Sequence, residues 1–376
     1  MNISFLLGAG FSYNAGLPVV SGVSEKFLRH PLAAHTLNFN SGEWKWRDWA
    51  SEPDKHNGIL PFQQEPVSMI IEFMARHYLA DMHTDVLNYE QFYQYMLDMA
   101  GKNREQFDAI IAEAQQVYNA ENHFRDFNFD SIPNREIFSC FYHLVDDMLW
   151  VRKPYKEIED LYAPYINYFS NQDHSFNIFT LNHDLLLEKV FLKTELAYSD
   201  GFSTKSSRLF DDDKNPLPIY DGTFDQRISM MKLHGSIDIY KYSYIEKQNE
   251  YLGFDYFKTM DFYAKQAASH IDENGTVMQN WTPEITPKFI TGQNKHQIIA
   301  EDKMYSSLYG RLQQVLPGSD RLVVIGYSFM DDHINDVISN SLSSIKEVIH
   351  INPNCQFKFK HPNITEIDPL RQQVQF

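Results

Sequence analysis

Cysteine is nearly missing from this chain. Among 376 residues only Cys140 and Cys355 occur, far apart in sequence. Two such thiols build neither a disulfide framework nor a four-cysteine zinc cluster within one chain, and a reducing cytoplasm is the expected compartment. Excess positive charge is missing as well. Lysine and arginine number 33 against 50 aspartates and glutamates, a formal net charge of −17. Phosphate backbones are bound through cations, so direct nucleic-acid binding is not expected. No uninterrupted apolar run approaches the roughly 20 residues that span a bilayer, so no membrane association is expected. No basic region precedes the apolar N-terminal stretch, which argues against a secretory signal. The chain has no G-x-x-x-x-G-K-[ST] phosphate loop, no internal repeat and no low-complexity tail.

What is present suits a soluble globular protein of one large or two modest domains, with 43% hydrophobic and 22% charged residues. The first eighteen residues are the most informative. An apolar run, Ile3 to Leu7, breaks into Gly8-Ala9-Gly10-Phe11-Ser12-Tyr13-Asn14-Ala15-Gly16-Leu17-Pro18, which reads as buried strand, tight turn and helix. Glycines there admit positive φ and let a phosphate approach bare backbone in front of a helix N-terminus. The dinucleotide pattern G-x-G-x-x-G would place its third glycine at Tyr13, and the next one in this chain is Gly16. The turn therefore reads either as a pyrophosphate cradle or as a glycine turn needed only for packing.

Helical periodicity is expected over Ser21 to Arg29, which we read as the helix the turn opens. It is expected again over Val67–His83, Asn88–Met99, Arg104–Tyr118, Ile137–Trp150 and Tyr155–Ser170. Between them, Trp44, Trp46 and Trp49, followed by Pro53, Pro61 and Pro66, mark an irregular stretch. Strands return at Ser175–Leu181, Ile228–Leu233, Arg321–Ile325 and Glu347–Ile351, with helices at Leu185–Leu196, Lys303–Leu316 and Asp332–Ser344. The alternation predicts an α/β fold: a Rossmann-like open parallel sheet flanked by helices, with a mostly α-helical insertion. Residues 1–40 and 171–376 would form the core, with excursions near 198–227 and 240–287, and residues 41–170 the insertion.

The strand ends carry polar residues where such a sheet binds its ligand: Thr180-Leu181-Asn182-His183-Asp184, Lys232-Leu233-His234-Gly235-Ser236, Gly326-Tyr327-Ser328-Phe329 and Asn352-Pro353-Asn354. Together with Gly8-Ala9-Gly10-x-Ser12-x-x-Ala15-Gly16-x-Pro18, this set resembles the sirtuin superfamily, in the same order and on the same expected elements. The resemblance covers roughly half the chain. It implies that NAD+ is the substrate and that the bond broken joins nicotinamide to ribose. Gly8, Ala9, Gly10 and Ser12 would wrap the pyrophosphate, within a motif completed by Gly16 and Pro18. Thr180 and Gly235 would belong to the same site, where Asn182 and Asp184 would hold the nicotinamide half and His234 would be the general base beside the ribose. Gly326 and Ser328 would line the phosphate and adenosine side, and Asn352 the adenine ribose.

The departures narrow the resemblance. Sirtuin deacylases carry two C-x-x-C zinc pairs, and this chain carries none, so no metal is expected and deacetylation loses support. Val19-Val20-Ser21 replaces the acidic-Phe-Arg segment of the deacylases, and Leu181 replaces a glutamine. A zinc-free core with a helical insertion is similar to the bacterial sirtuin-like effectors that hydrolyse NAD+ during phage defence. That likeness implies a homo-oligomer or a regulatory partner in trans, such as a HerA-like ATPase or a nucleotide-processing subunit. The chain continues only about two dozen residues beyond the last expected strand, which favours such a device over a fused sensor.

Several residues keep two readings. Asp184 is as well suited to cap the helix that follows as to bind ligand. His183, pointing away from Asn182 by strand alternation, is read as structural. Asp331-Asp332-His333 reads as a charged helix start rather than a metal site. The tryptophan cluster fits a partner surface or a loop anchor, and Asp211-Asp212-Asp213 a solvated loop tip. A nucleotide-binding scaffold without turnover, or transfer of ADP-ribose to an acceptor, are the rival functions.

Overall fold

The computed structural model describes residues 1–29, 35–38, 43–46, 61–121, 128–211, 213–245, 251–259, 269–271, 274–278, 288, 295–353, 356–374 and 376. Trp49, Pro53, Asp212, Asn354 and Cys355 lie outside them. The chain forms two compact units, one of Met1–Leu17, Trp150–Ile290 and Lys295–Phe376, the other of Pro18–Leu149 and Thr291–Asn294.

The first unit is built on a sheet whose expected strands are β1 (Asn2–Leu7), β2 (Ser175–Thr180), β3 (Ile228–Lys232), β4 (Arg321–Ile325) and β5 (Glu347–Ile351). A further strand, β6 (Ile364–Ile367), pairs parallel with β5, and the two-residue strand Tyr198–Ser199 pairs parallel with β3. The spatial order β6-β5-β4-β1-β2-β3 is that of a doubly wound dinucleotide-binding sheet. Its direction of winding reverses between β1 and β4, and there the turns after the two strands meet.

Continuous apolar strands face two cores because side chains alternate across the sheet. Leu6, Phe179, Leu322, Val324 and Val348 enter one core, and Phe5, Leu7, Ile178, Val323 and Ile349 the other. Helices α1 (Tyr155–Phe169) and α2 (Leu186–Lys193) cover the second core with Ile158, Tyr162, Phe169, Leu186 and Val190. Helices α3 (Lys303–Val315) and α4 (Asp332–Ser341) cover the first with Met304, Leu308, Leu312, Ile334 and Ile338. Helix α1, read from the sequence as part of the insertion, thus packs on the sheet. The fold is α/β, Rossmann-like and flanked by helices on both faces.

Two local expectations need correction, and a third gains detail. The glycine turn does not open into the helix ending at Arg29. It opens into one α turn, Ala9–Ser12, then a 3-10 turn, Tyr13–Ala15, stopped by Gly16 at φ 85°. The excursion from residue 240 contains an antiparallel hairpin, Ile239–Ile245 with Tyr251–Lys258. The stretch holding Trp44 and Trp46 is not irregular throughout, because His35–Asn38 pairs antiparallel with Glu43–Trp46.

The second unit is mostly helical: Val20–Arg29, Pro61–Asp81, Tyr89–Gly101, Arg104–Glu121 and Asn134–Met148. Asn88 caps the third of these, its side chain accepting from the N–H groups of Glu90 and Gln91. The aromatic rings of Phe27, Tyr78, Phe92 and Phe141 pack among one another there. Cys140 is buried in this unit. No described helix is long and apolar enough to cross a membrane.

Candidate active site at the strand ends

The turns after β1 and β4 interlock through bare backbone. Gly8 N–H donates to Ile325 O at 2.9 Å, Gly10 N–H to Gly326 O at 3.1 Å, and Gly326 N–H to Ile351 O at 3.0 Å. A Cβ on Gly8 would lie 2.6 Å from Gly326 O, and one on Gly10 2.7 Å from Gly326 Cα. Gly326 itself sits at φ 60°. These three glycines are therefore required by close approach and by the left-handed backbone at Gly326. Tyr162 of α1 ties the turn down, its hydroxyl donating to Phe11 O at 2.6 Å. Next along the sheet, Asn352 Nδ2 donates to Tyr327 O at 3.2 Å, while Ser328 is exposed.

Asn182 and Ser12 meet beside this interlock. Asn182 Nδ2 donates to Gly8 O and to Ser12 Oγ, both at 3.0 Å, and Asn182 N–H donates to Thr180 Oγ1 at 3.1 Å. Asn182, Ser12, Thr180 and Asp184 line a small cavity of about 10 Å³ with Phe11, Leu187, Glu188, Met230 and Lys232, the room of roughly one water molecule. Asp184 Oδ1 accepts from Leu186 N–H at 3.0 Å at the start of α2. Lys232, with its side chain 4% exposed, reaches Glu188 Oε1 at 3.1 Å and also donates to Asp184 O. Burial raises the Glu188 carboxyl above its ordinary pKa, against the pull of Lys232.

His234 lies in a second cluster. The loops after β2 and β3 are stitched together by His183, whose Nδ1–H donates to Gly235 O at 3.4 Å and whose carbonyl accepts from Ile237 N–H at 3.1 Å. Gly235, at φ 87°, leaves no room for a side chain against Lys288 O. The His234 ring lies 6.3 Å from that of His183 and 6.1 Å from that of His333 on α4. Its Nε2 is buried without a hydrogen-bond partner, and Asp331 Oδ1 is 3.9 Å away. Asp331 is held by Lys295 Nζ at 2.9 Å, and His333 Nε2 shares a hydrogen bond with Tyr309 Oη at 2.9 Å.

Electrostatics keep both inner imidazoles neutral. Burial, then the Lys295 ammonium and the neighbouring imidazoles of His183 and His333, push the His234 pKa well below its ordinary value. Burial lowers His183 to about 3. Among the described residues, His234, Asp331 and His333 bring ligand atoms within 4.8 Å of one another. The Lys295 ammonium already supplies a cation to that carboxylate. Asp331 occupies the N-cap position of α4.

The SIR2-like domain family model matches residues 177–355. Residues 177–355 are thus similar to a SIR2-like domain. The matched span runs from within β2 past β5, and so takes in Asn182, His234, Gly326 and Asn352. No curated protein matches the chain in sequence. A structure titled "Structural Basis for the Mechanism and Regulation of Sir2 Enzymes" is similar over 94% of this chain and 82% of that one, at 10% identity and a TM-score of 0.30.

The sirtuin-like motifs were legible as residues, and the structure distributes them into two neighbourhoods. Gly8, Gly10, Ser12, Asn182, Gly326 and Asn352 surround the winding reversal, whereas His234 and Gly235 stand with His183, Asp331 and His333. Pro18 opens the second unit. Lys295 carried no sequence signal, because nothing in its local spacing points to a carboxylate 36 residues away.

Proposed function

We propose that this sirtuin-like protein is an NAD+ glycohydrolase, releasing nicotinamide and ADP-ribose. The observation that carries the reading is His234: a buried, neutral imidazole with an unpartnered Nε2, on the loop after β3 of a dinucleotide-type sheet whose winding reverses at Gly8, Gly10 and Gly326. As the glycosidic bond breaks, its electron pair leaves with nicotinamide and neutralises the pyridinium charge. Water bonds to C1′ of the ribose, and its proton passes to His234. Asn182 supplies an amide beside the glycine turn, where positioning and fixed dipoles lower the barrier.

The same family resemblance supports a role as an antiphage effector, in which depletion of NAD+ halts the infected cell. Activation would come from self-assembly or from a partner in trans, either a HerA-like ATPase or a nucleotide-processing subunit.

The test is nicotinamide release from NAD+ by purified protein, with and without the product of the neighbouring gene. His234→Ala and Asn182→Ala should fold normally and lose activity by about two to four powers of ten, the usual worth of a general base. Undiminished release by both variants would sink the reading. A second reading, a nucleotide-binding scaffold without turnover, is favoured by one observation: the amides of Gly8, Gly10 and Asn182 already have protein partners. Calorimetric binding of ADP-ribose without cleavage under any of these conditions would favour the scaffold.

A further inference from the structure

A neutral imidazole buried among positive charge meets a difficulty once it accepts a proton. His234 is 3% exposed. The groups facing it are the neutral His183 imidazole from the loop after β2, His333 from α4, and the Lys295 ammonium, whose charge opposes a second positive one beside it. Asp331 brings a carboxylate to its ring, 3.9 Å from Nε2. That gap is too long for a hydrogen bond, and Nε2 is left with no other partner.

We infer that Asp331 is the positioning residue that lets His234 act as a base, with Lys295 holding its carboxylate in register. This rests on the reading of His234 as the proton acceptor. When water adds to C1′, its O–H proton transfers to Nε2. The resulting imidazolium then shares Asp331 with the Lys295 ammonium, and the charge that the pocket resists is balanced where it forms. A carboxylate beside an imidazole works in this way by orienting the ring and stabilising its cation. The geometry fits that role. Asp331 stands at the N-cap position of α4, yet its side chain makes no capping hydrogen bond. The carboxylate is committed to Lys295 at 2.9 Å instead, with both side chains largely buried, at 17% and 15% exposed.

The test reads His234 directly and does not require turnover. In full-length protein with isotope-labelled histidine, the His234 resonance is assigned by its absence in His234→Gln and titrated by NMR. Lys295→Met should raise the titration midpoint of His234, because it removes a neighbouring cation and frees Asp331. Adding Asp331→Asn to that variant should reverse the rise, whereas adding Asp332→Asn, one residue along, should not. A Lys295→Met/Asp331→Asn double variant that titrates like Lys295→Met alone overturns the inference.

Kinetics supply the second readout. Asp331→Asn should lower kcat about ten- to a hundredfold with little change in KM. It should also move the acidic limb of the kcat profile to lower pH, and Asp331→Glu should restore part of the rate. An unshifted acidic limb in Asp331→Asn overturns the inference. Absence of nicotinamide release from wild-type protein both with and without the neighbouring gene product would overturn the glycohydrolase reading instead, and the NMR titration would still decide the role of Asp331.

Discussion

Gly10 and Gly326 are joined backbone to backbone. The N–H of the first donates to the carbonyl of the second at 3.1 Å, and a Cβ on Gly10 would stand 2.7 Å from Gly326 Cα. The turns after β1 and β4 therefore behave as one rigid piece at the point where the sheet reverses its winding. A ligand settling there meets a surface set by glycine backbone.

Gly326→Ala should accordingly be costly. It forces an L-residue into left-handed backbone and drives a methyl group into Gly10 and the Phe11 amide. Strain and overpacking together predict a loss of about 2–4 kcal/mol. Gly310, inside α3 with open space around it, provides the contrast. Gly310→Ala should gain about 0.5–1 kcal/mol from helix propensity. Thermal melts of the two variants should move in opposite directions.

The amide of Asn182 is a donor to both of its side-chain partners, Gly8 O and Ser12 Oγ. Asn182→Asp removes both donated N–H groups and sets a carboxylate against a carbonyl. It should bind ADP-ribose more weakly than Asn182→Ala does, by about tenfold or more, since a mispaired buried acceptor costs about 1–3 kcal/mol. Calorimetry on the two variants compares them directly, and equal affinities would contradict the donor role.

Lys232 and Glu188 form a buried pair with side chains 4% and 13% exposed. Lys232→Met leaves Glu188 without its cation and Asp184 O without a donor, and should cost about 3–5 kcal/mol. Lys232→Met/Glu188→Leu removes both charges and should recover most of that loss. Denaturant midpoints of the single and double variants measure the recovery.

His183 makes stability depend on pH. Its folded pKa is lowered from 6.5 to about 3 by burial, so the unfolded chain takes up a proton in that interval that the folded protein refuses. The contribution is fully present above pH 6.5 and is lost as pH falls toward 3, by up to about 1.4 kcal/mol per pH unit. His234, also lowered, adds to the loss in the same direction. Glu188, with its pKa raised by burial, opposes it above the ordinary carboxylate range. Melting temperatures from pH 7 to 5 should fall less steeply in His183→Gln than in wild type.

Much of the fold was legible because its signals are local. Five of the parallel strands are short apolar, β-branched runs, and helices such as Tyr155–Phe169 and Lys303–Val315 carry apolar periods that begin and end close to their sequence expectations. β6 left little sequence signal because Ile364-Thr365-Glu366-Ile367 is a four-residue edge strand with polar residues at its centre and only Ile367 buried. The helix behind the glycine turn was misplaced because a turn signal does not fix how far the helix after it extends. Gly16, at φ 85°, stops this one after a single α turn and a 3-10 turn.

The sequence by itself determined which residues stand at the strand ends, since a strand terminates where its apolar run does. Asn182, His234, Gly326 and Asn352 follow from that rule. Only the tertiary structure decided what each one touches. Gly8 and Gly10 need to be glycine because the turn after a strand more than 300 residues later passes against them. His234 meets Asp331, and Asp331 meets Lys295, because β3, α4 and the helix Lys295–Glu301 converge at the C-terminal end of the sheet. Contacts of that span depend on the paths of several elements at once, and no local period in the chain encodes them.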